Sequence, residues 1–415
     1  MKQIYTHIAN RLEYYFQIDA RFFIRGGFWL TCIQGVSIIG GLLTSVIFAN
    51  YLTPQDFGIY RYLIGLSALL AAISLTGLSH AILQTAAKKY FAFYRETLWF
   101  NGIYSSGITV SAIIGAFYYW WNDNDLLALG CLCIGLLEPL IVTFSNTAAY
   151  LQGSQRFTEA ATLHTLKTIT VTLGSLIALY FSDNILVLLI SYLATSLLTN
   201  LIAHWYYIPT YATSTPTEVS TRYRSYAVHT SARNLIANVA NRLDTIIVFT
   251  LLGAPELALY IIATIIPEQI KGSVKNLASL LLQKYTKNDN IDQLRKSVPK
   301  RSLQLLLILV VLTILYIAFS PILYNLLFPK YESAVLLSQI LALAFPALIL
   351  YVPYSILQSK VAEKALHKIT VYSSLSQVLI TIVLIHFFGL LGAIIAKVIH
   401  RYILLLLSLK NLYRI

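Results

Sequence analysis

Long apolar stretches recur along the chain, and they constrain the fold more than any other feature. An α-helix needs about 20 apolar residues to cross the hydrocarbon core of a bilayer. About twelve such stretches occur, at 27–49, 58–80, 98–120, 126–148, 163–182, 185–207, 230–252, 257–282, 302–324, 334–357, 368–387 and 390–409. Hydrophobic residues make up 57% of the sequence and charged residues only 11%, which is more apolar surface than a water-soluble domain buries. We therefore predict an all-α polytopic membrane protein with about twelve transmembrane helices.

Basic side chains divide unequally between the loops on the two sides of these stretches. One set of loops, together with both tails, carries most of the lysines and arginines, whereas the opposite set carries Lys330 as its only clear base. The carboxylates of that opposite set are Asp56, Asp123, Asp125, Asp183, Glu256 and Glu332. Because lysine and arginine accumulate on the cytoplasmic side of membrane proteins, we expect both termini in the cytoplasm. The net charge of +13 then reflects membrane topology, and we expect no nucleic-acid partner.

A short polar break occurs twice with the same sequence pattern, at residues 48–60 and 249–260, and the matching positions are 200 residues apart. Glu256 stands in the second break where Asp56 stands in the first, and an Ile-Thr-Val tripeptide recurs elsewhere at the same offset. Internal repeats of this kind are typical of transporters. We therefore predict two six-helix bundles related by an axis along the membrane normal, with a cleft between them and a tight hairpin at each break.

The predicted domain organisation follows from these spans. Residues 27–207 form the N-terminal six-helix bundle and residues 230–415 the C-terminal one, and a cytoplasmic connector at 208–229 joins them. Residues 1–26 place apolar side chains at helical spacing among charged ones. This pattern suits either an interfacial helix on the membrane surface or a frayed tail. Because its charges are spread throughout, we expect no secretory signal there.

Polar and charged side chains inside two of the spans are the main candidates for a functional site. A charge at the centre of a bilayer costs about 2.5–3.5 kcal/mol on insertion scales, so such residues usually face a cavity or a partner. One face of the seventh span carries Asn234, Asn238, Asn241, Arg242 and Thr245. A similar stripe in the eighth span carries Thr264, Glu268, Lys271 and Lys275. Milder stripes of small and hydroxyl residues in the first and fifth spans suit either a cavity or helix packing.

Several further charged or titratable residues lie within or near the spans: Arg61, Glu138, Asp244, Lys397, His400 and Arg401. Arg61 and Arg401 are long enough to reach the membrane interface by snorkelling, and His400 suits packing or hydrogen bonding. The acids, together with Glu268, are candidates for ion coupling or for neutralising nearby cations. Two interpretations stay open for Arg242 and Lys271, which either bind substrate or form structural ion pairs with these acids.

Proline lies inside several spans, at Pro139, Pro267, Pro346 and Pro353. Proline removes a backbone donor and predicts a kink or a break at these points. Proline is also more frequent in membrane helices than in soluble ones, so these positions do not by themselves indicate a moving part.

Motifs of enzymes and metal sites are not found in the sequence. There is no glycine-rich phosphate loop followed by lysine and serine or threonine, no Ser/His/Asp arrangement and no cluster with zinc spacing. Cys32, Cys131 and Cys133 all lie inside apolar stretches and are expected to pack there. We expect no enzymatic activity, no metal and no cofactor.

Four short motifs resemble one family of membrane proteins. They are Leu52-x-Pro54-x-x-Phe57-Gly58-x-Tyr60, Leu151-Gln152-Gly153-x-x-Arg156-Phe157, Asn241-Arg242-Leu243-Asp244 and Phe388-Gly389-Leu390-x-Gly392-Ala393. With these motifs the chain resembles polysaccharide transporters of the O-antigen flippase type, which belong to the multidrug/oligosaccharidyl-lipid/polysaccharide (MOP) exporter superfamily. The resemblance covers nearly the whole chain and implies the two-bundle fold of that superfamily.

The resemblance also implies a function and a site. The substrate would be a polyprenyl-diphosphate-linked oligosaccharide, a repeat unit of O-antigen lipopolysaccharide or of another polysaccharide, moved across the bacterial inner membrane. Its diphosphate would meet cations, of which Arg242 lies in the motif of the seventh span, with Arg61, Lys271 and Lys397 as further candidates. Asn238, Asn241 and nearby hydroxyl groups would meet the sugars. Membrane lipid, a polysaccharide polymerase and a chain-length regulator are the implied partners.

The sequence leaves two alternative functions open. The first is a multidrug exporter of the same fold, in which acidic rather than basic side chains should predominate in the cavity for cationic drugs. The second is a membrane-embedded glycosyltransferase or polymerase, which typically needs a sizeable outer loop with acid, base and metal-binding groups. The outer loops of this chain are short, and Asp123-Asn124-Asp125 favours a helix-ending turn over a metal site.

Overall fold

The structure, a computed structural model, describes residues 20–207, 217–286, 291–359 and 363–414. All regular secondary structure in these residues is helical. The α-helices are α1 (Ala20–Tyr51), α2 (Pro54–Ala71), α3 (Leu78–Ala87), α4 (Phe93–Trp121), α5 (Asp125–Phe144), α6 (Thr147–Gly153), α7 (Phe157–Phe181), α8 (Ile185–Tyr207), α9 (Thr217–Leu252), α10 (Ala254–Thr286), α11 (Ile291–Leu327), α12 (Ala334–Ala342), α13 (Tyr351–Ser359) and α14 (Glu363–Leu412), with a short 3-10 helix at Pro346–Leu350 before α13.

Eight helical segments of the described residues are long and apolar enough to cross a membrane. A further apolar segment, Gly35–Tyr51 within α1, is shorter. Ala365–Leu412 covers two predicted spans, because α14 is interrupted at Gly389, where φ is 57° and ψ is −136°. The chain turns sharply there, since a Cβ built on Gly392 would lie 1.9 Å from the carbonyl oxygen of Leu384. The prediction of an all-α polytopic membrane protein is confirmed.

Two of the predicted spans are interrupted helices. The second span, expected at 58–80, is divided between α2 and α3 by a break at residues 72–77. The tenth span, expected at 334–357, is divided among α12, the 3-10 helix and α13. Hydropathy did not detect these breaks because apolar residues continue through them. Pro346 begins the 3-10 helix, as expected of a residue that cannot donate a backbone hydrogen bond.

The chain divides into two compact units, which are described separately. The first unit contains residues up to Thr44 and residues Ile73–Ser231, and the second contains Ser45–Ala72 and Ala232–Ile415. The first division falls within α1, and the last falls within α9. The helix α2 therefore belongs to the same unit as α10 and α14.

The first unit is built around a cluster of buried apolar residues from α3, α4 and α6, including Phe93, Tyr94 and Tyr150. Gly153, at the end of α6, is pressed against α3, where an added Cβ would lie 2.3 Å from the carbonyl oxygen of Leu83. The predicted first and fifth spans approach each other closely here. A Cβ on Gly40 would meet Thr168 at 2.6 Å and Thr172 at 3.2 Å. Thr168 and Thr172, which belong to the mild fifth-span stripe, therefore pack against another helix. A Cβ added to Gly41, a member of the first-span stripe, would meet no atom within 4 Å, and both interpretations of that stripe stay open.

In the second unit, both predicted hairpins are present and touch each other. Thr53 caps α2 by accepting a hydrogen bond from the backbone N–H of Asp56 at 3.1 Å, an arrangement that satisfies a free donor at the helix start. The second hairpin turns at Gly253, whose φ is 93°. The rings of Tyr62 and Phe249 stack with their centroids 3.8 Å apart. The two breaks related by 200 residues in the sequence are thus neighbours in space.

Hydroxyl and amide side chains bond the carbonyls that intrahelical prolines leave without their usual donor. The residue four positions before Pro267 is Ala263, whose carbonyl oxygen accepts a hydrogen bond from the Tyr324 hydroxyl at 3.2 Å. The same relationship joins the carbonyl of Gly135, four positions before Pro139, to Thr109 Oγ1 at 2.8 Å. The carbonyl oxygen of Ile317, four positions before Pro321, likewise accepts a hydrogen bond from Gln339 Nε2 at 3.1 Å. At these three prolines a neighbouring side chain thus replaces the missing donor, as a bilayer without water requires.

Some predictions lie at or beyond the edges of the described residues. Most of the predicted interfacial helix at 1–26 lies outside them, and so does the first part of the predicted connector at 208–229. The second part of that connector is helical, because α9 begins at Thr217, ahead of the predicted seventh span. Long helices that extend beyond the apolar stretch are not detected by a search for apolar runs.

Candidate functional site

The second unit contains a cavity of about 570 Å³. Its walls come from α2, the end of α9, α10, α13 and both halves of α14. Hydroxyl, amide and phenol groups line it beside the charges: Thr245, Tyr260, Thr264, Tyr351, Tyr354, Thr370, Ser373, Ser374 and Gln377. A cavity with so many hydrogen-bonding groups in an otherwise apolar helical unit is suited to a polar ligand.

Positive charges outnumber negative ones in the cavity wall. The cations are Arg61, Arg242, Lys271, Lys275, Lys397 and Arg401, and the carboxylates are Asp244 and Glu268. Two carboxylates cannot neutralise six cations, so the wall carries a net positive charge. Charges within a membrane segment are expensive unless a partner or an aqueous cavity meets them. The arrangement therefore favours an anionic ligand.

Lys397, Asp244 and Tyr260 form the first part of a polar network. The ammonium of Lys397 lies 3.0 Å from Asp244 Oδ2 and 3.1 Å from the Tyr260 hydroxyl. That hydroxyl also donates to Asp244 Oδ2 at 2.9 Å. The Lys397 and Asp244 side chains are only 15% and 13% exposed. This ion pair is largely withdrawn from solvent, and loss of either partner would leave the other charge uncompensated.

Glu268 forms the second part of the network and meets three cations. Its Oε1 accepts a hydrogen bond from Arg401 Nη2 at 2.7 Å and lies 3.5 Å from Lys397 Nζ. Its Oε2 accepts from Lys271 Nζ at 2.9 Å, one turn further along α10. Lys397 and Arg401 are four residues apart on α14, so they lie on the same helical face. Glu268 therefore holds cations from α10 and α14 together.

Arg242 differs from these paired cations. Its side chain is exposed to the cavity, and it forms no ion pair or hydrogen bond with any residue that the structure describes. Lys275 is likewise exposed and lines the cavity. Arg61 lines the cavity from the second turn of α2 and is half-buried. Arg242 and Lys275 are placed to meet a ligand without first losing an ion pair to Asp244 or Glu268.

The structure brings together most of the predicted site residues. Arg61, Arg242, Lys271, Lys397, Asp244 and Glu268 all line this one cavity, and so does the whole predicted stripe of the eighth span. Asn238 is half-buried on α9 and is not part of the wall. The side chain of Asn241 lies outside the described residues. The binding roles of these residues stay predictions.

Glu138 is on α5 and belongs to the first unit, where its side chain is buried. The first unit also contains Lys167, whose Nζ donates to Asn200 Oδ1 at 3.1 Å. Ion coupling by Glu138 stays a prediction. Among the described residues, no group of three or more His, Cys, Asp or Glu side chains could hold a metal ion.

Arg401 is the main residue that sequence reasoning placed wrongly. We expected it to reach the membrane interface by snorkelling, but its side chain is only 3% exposed and is paired with Glu268. The spacing of four residues between Lys397 and Arg401 was the available signal, since it puts both on one face of a helix. The sequence indicates for Tyr260 only a place at the end of the break at 249–260, because a tyrosine near the end of a membrane span usually marks the interface.

Comparison with solved structures identifies the fold. A multidrug resistance MATE family transporter of the MOP superfamily, in its inward-facing conformation, matches with a TM-score of 0.68 at 14% identity, covering 92% of this chain and 93% of that one. A MATE transporter in complex with MaD5 matches with a TM-score of 0.64 at 13% identity, covering 95% and 97%. A MOP superfamily transporter from Pyrococcus furiosus, whose binding pocket has a reverse polarity that suggests a different function, matches with a TM-score of 0.61 at 14% identity, covering 94% and 95%.

Comparison with curated protein sequences finds no match. A sequence profile described as "Polysaccharide biosynthesis protein" matches residues 23–279, which is more than half of the chain. The matched region includes both breaks, at 48–60 and 249–260, and the Arg242 motif. The resemblance inferred from the four motifs is confirmed, and the chain belongs to the polysaccharide biosynthesis protein family, on a fold that it shares with transporters of the MOP superfamily.

Proposed function

We propose that the protein is a flippase for polyprenyl-diphosphate-linked oligosaccharides, the repeat units of O-antigen lipopolysaccharide or of a capsular or extracellular polysaccharide. It moves its substrate from the cytoplasmic to the outer leaflet of a bacterial inner membrane by alternating access, with both termini in the cytoplasm. It makes and breaks no covalent bond. The lipid tail stays in the bilayer while the headgroup passes through the protein.

The positive charge of the cavity wall is the observation that carries this proposal. A diphosphate needs several cations, and arginine binds its oxygens through a planar fork while lysine meets them as a point charge. The wall has six cations against two carboxylates, and Arg242 is exposed among them. Sugars need hydrogen-bonding groups, which Ser373, Ser374 and Gln377 offer on the same wall. The family match to polysaccharide biosynthesis proteins supports the same substrate class.

A multidrug exporter is the alternative that the shared fold favours, because several solved relatives are multidrug transporters. A cavity for cationic drugs should be lined by more acidic than basic side chains, and this wall has more basic than acidic ones. The transporter from Pyrococcus furiosus, with its pocket of reverse polarity, supports the view that one fold carries pockets of different charge and function. The charge of the wall therefore favours the flippase.

The proposed partners follow from the substrate. A flippase delivers lipid-linked repeat units to the outer leaflet, where a polysaccharide polymerase joins them and a chain-length regulator sets their number. The headgroup is too polar to cross the bilayer unaided, so the polymerase depends on the flippase for its supply.

The test compares a strain without this protein with strains that carry the wild type or variants of it. In the strain without the protein, lipid-linked repeat units should accumulate on the inner face of the membrane, and the wild type should relieve the accumulation. Arg242→Ala should fail to relieve it while being made and inserted normally. Arg222→Ala is the matched control, because Arg222 is exposed on the same helix and does not line the cavity.

Two outcomes would contradict the proposal. Normal translocation by a folded variant lacking Arg242, Lys271 and Lys397 together would reject the cavity as the headgroup site. Resistance to cationic drugs that requires Asp244 or Glu268, without any effect on lipid-linked repeat units, would support the multidrug exporter instead.

A further inference from the structure

Glu268 is the point at which the cations of the cavity converge. Its two oxygens accept hydrogen bonds from Arg401 Nη2 at 2.7 Å and from Lys271 Nζ at 2.9 Å. Lys397 lies 3.5 Å away but has a closer carboxylate, Asp244, at 3.0 Å. Glu268 is therefore the carboxylate that Arg401 and Lys271 share, and one negative charge serves two cations.

Arg401 keeps hydrogen-bond donors that have no acceptor in this arrangement. Its side chain is 3% exposed, and Nη2 bonds to Glu268, whereas Nε and Nη1 are buried without a hydrogen-bond partner among the described residues. A guanidinium carries five N–H donors. Buried donors without acceptors are costly, so the remaining donors of Arg401 favour further anionic oxygens. A carboxylate offers only two oxygens, and both of those of Glu268 are already engaged.

We propose that Glu268 is a positioning residue that substitutes for the anionic group of the substrate. It holds Arg401 and Lys271 in place before the substrate binds, and a diphosphate then competes with it for the same two cations. This inference rests on the proposed function. A diphosphate has more anionic oxygens than a carboxylate, so it can bond to Arg401 and Lys271 and keep further oxygens for other cations of the wall, which include Arg242 and Lys275.

Competition of this kind affects release as well as binding. Once the diphosphate has taken its cations, the charge of Glu268 remains beside it, and like charges in a site of low dielectric repel one another. The substrate is therefore bound less tightly than the six cations of the wall would allow. A transporter needs such a limit, because a substrate that binds too tightly is not released on the other side of the membrane.

The test is binding of inorganic pyrophosphate to the purified full-length protein in detergent, measured by isothermal titration calorimetry. Glu268→Gln keeps the shape of the side chain and removes the charge that competes with pyrophosphate. The Kd for pyrophosphate should therefore fall by about tenfold. Glu268→Ala should act in the same direction. Glu256→Gln is the matched control, because Glu256 is on the same helix and does not line the cavity. A gain in affinity is an effect that damage to the fold does not produce.

Arg401→Gln and Lys271→Gln complete the test as a double-mutant cycle. If Glu268 acts by holding these two cations, the gain from Glu268→Gln should shrink in both backgrounds. Unchanged or weaker binding in both Glu268 variants, with wild-type binding that Arg242→Ala abolishes, would overturn this inference and leave the proposed function intact. Absence of pyrophosphate binding in the wild type and every variant would instead count against the anionic headgroup site, and the inference would fall with it.

Discussion

Gly58 of α2 lies directly against the backbone carbonyl of Ala254, the first residue of α10. A Cβ built on Gly58 would fall 1.9 Å from that carbonyl oxygen and 2.9 Å from Ala254 Cα. The two residues belong to the breaks at 48–60 and 249–260, which share one sequence pattern. The members of the predicted repeat therefore meet in the second unit, and the helices that follow them, α2 and α10, both line the cavity.

Substitution of Gly58 by alanine should destabilise the protein. The atom that an added methyl group would strike belongs to the backbone, which cannot move aside as a side chain can, and overpacking of this kind costs about 1–3 kcal/mol. The measurement is the thermal unfolding temperature of the purified protein in detergent. Gly102→Ala is the control, because a Cβ there meets no atom within 4 Å, and alanine is favoured over glycine within a helix. Equal melting temperatures for both variants would contradict the close approach.

The two hairpins could be predicted from sequence because their signals are local. Pro54 and Gly253 each lie at a break between long apolar runs, and such residues punctuate helices wherever they occur. Their contact could not be predicted, because Gly58 and Ala254 are far apart in the chain and nothing near either residue encodes the other. The offset of 200 residues indicated that the two breaks are related, but not that they touch.

Replacement of Lys397 by methionine should destabilise the protein strongly. The Asp244 carboxylate is 13% exposed and has Lys397 Nζ at 3.0 Å, so loss of the ammonium leaves a buried charge without its cation. Breaking a buried ion pair by removing one partner costs about 3–5 kcal/mol. Lys397→Met combined with Asp244→Asn should recover much of this loss, because no unpaired charge then remains. The free energy of unfolding in mixed detergent micelles provides the measurement.

Lys275→Met is the control for the Lys397 variant. Lys275 lines the same cavity but is exposed, so its loss should change the free energy of unfolding by no more than about 0.5 kcal/mol. A comparable loss of stability in both variants would show that the Lys397–Asp244 pair has no special structural role.

The same pair marks the limit of sequence reasoning about the site. The stripe formed by Thr264, Glu268 and Lys271 could be predicted because helical spacing is a local property, and all three residues line the cavity. The partners of Glu268 and Asp244 on α14 could not, because an arginine or lysine near the end of a span is equally compatible with snorkelling and with a buried ion pair. Arg401 shows the difference, since it is buried where it was expected to reach the interface.

Gly389→Ala should destabilise the protein through its backbone rather than through packing. Gly389 has φ of 57° and ψ of −136°, while an added Cβ would meet no atom within 4 Å. Residues other than glycine in such sparsely populated conformations cost about 1–3 kcal/mol. Gly41→Ala also adds a methyl group to open space, but in an ordinary helix, and should be neutral or slightly stabilising. A thermal unfolding temperature for Gly389→Ala equal to that of Gly41→Ala would contradict the strained turn.

Tyr324→Phe should remove the hydroxyl that bonds the carbonyls beside Pro267. The Tyr324 hydroxyl lies 3.1 Å from the carbonyl oxygen of Ile262 and 3.2 Å from that of Ala263, and residue 267 cannot donate to Ala263 because proline lacks an N–H. The buried carbonyl would lose its donor, at a cost of about 1–3 kcal/mol. Tyr413→Phe is the control, because Tyr413 is 56% exposed. The free energy of unfolding in mixed detergent micelles measures both changes.

Pro267→Ala tests the physical reason for that loss. Alanine at position 267 restores an N–H that can bond to the carbonyl of Ala263 within the helix, so Tyr324→Phe should cost less in the Pro267→Ala background than in the wild type. A coupling of about 1 kcal/mol between the two substitutions is expected, as for residues that share a partner. Equal costs in the two backgrounds would mean that Tyr324 contributes through ring packing alone. A positive coupling would instead show that the Tyr324 hydroxyl replaces the missing N–H of Pro267, in the turn of the helix that precedes Glu268.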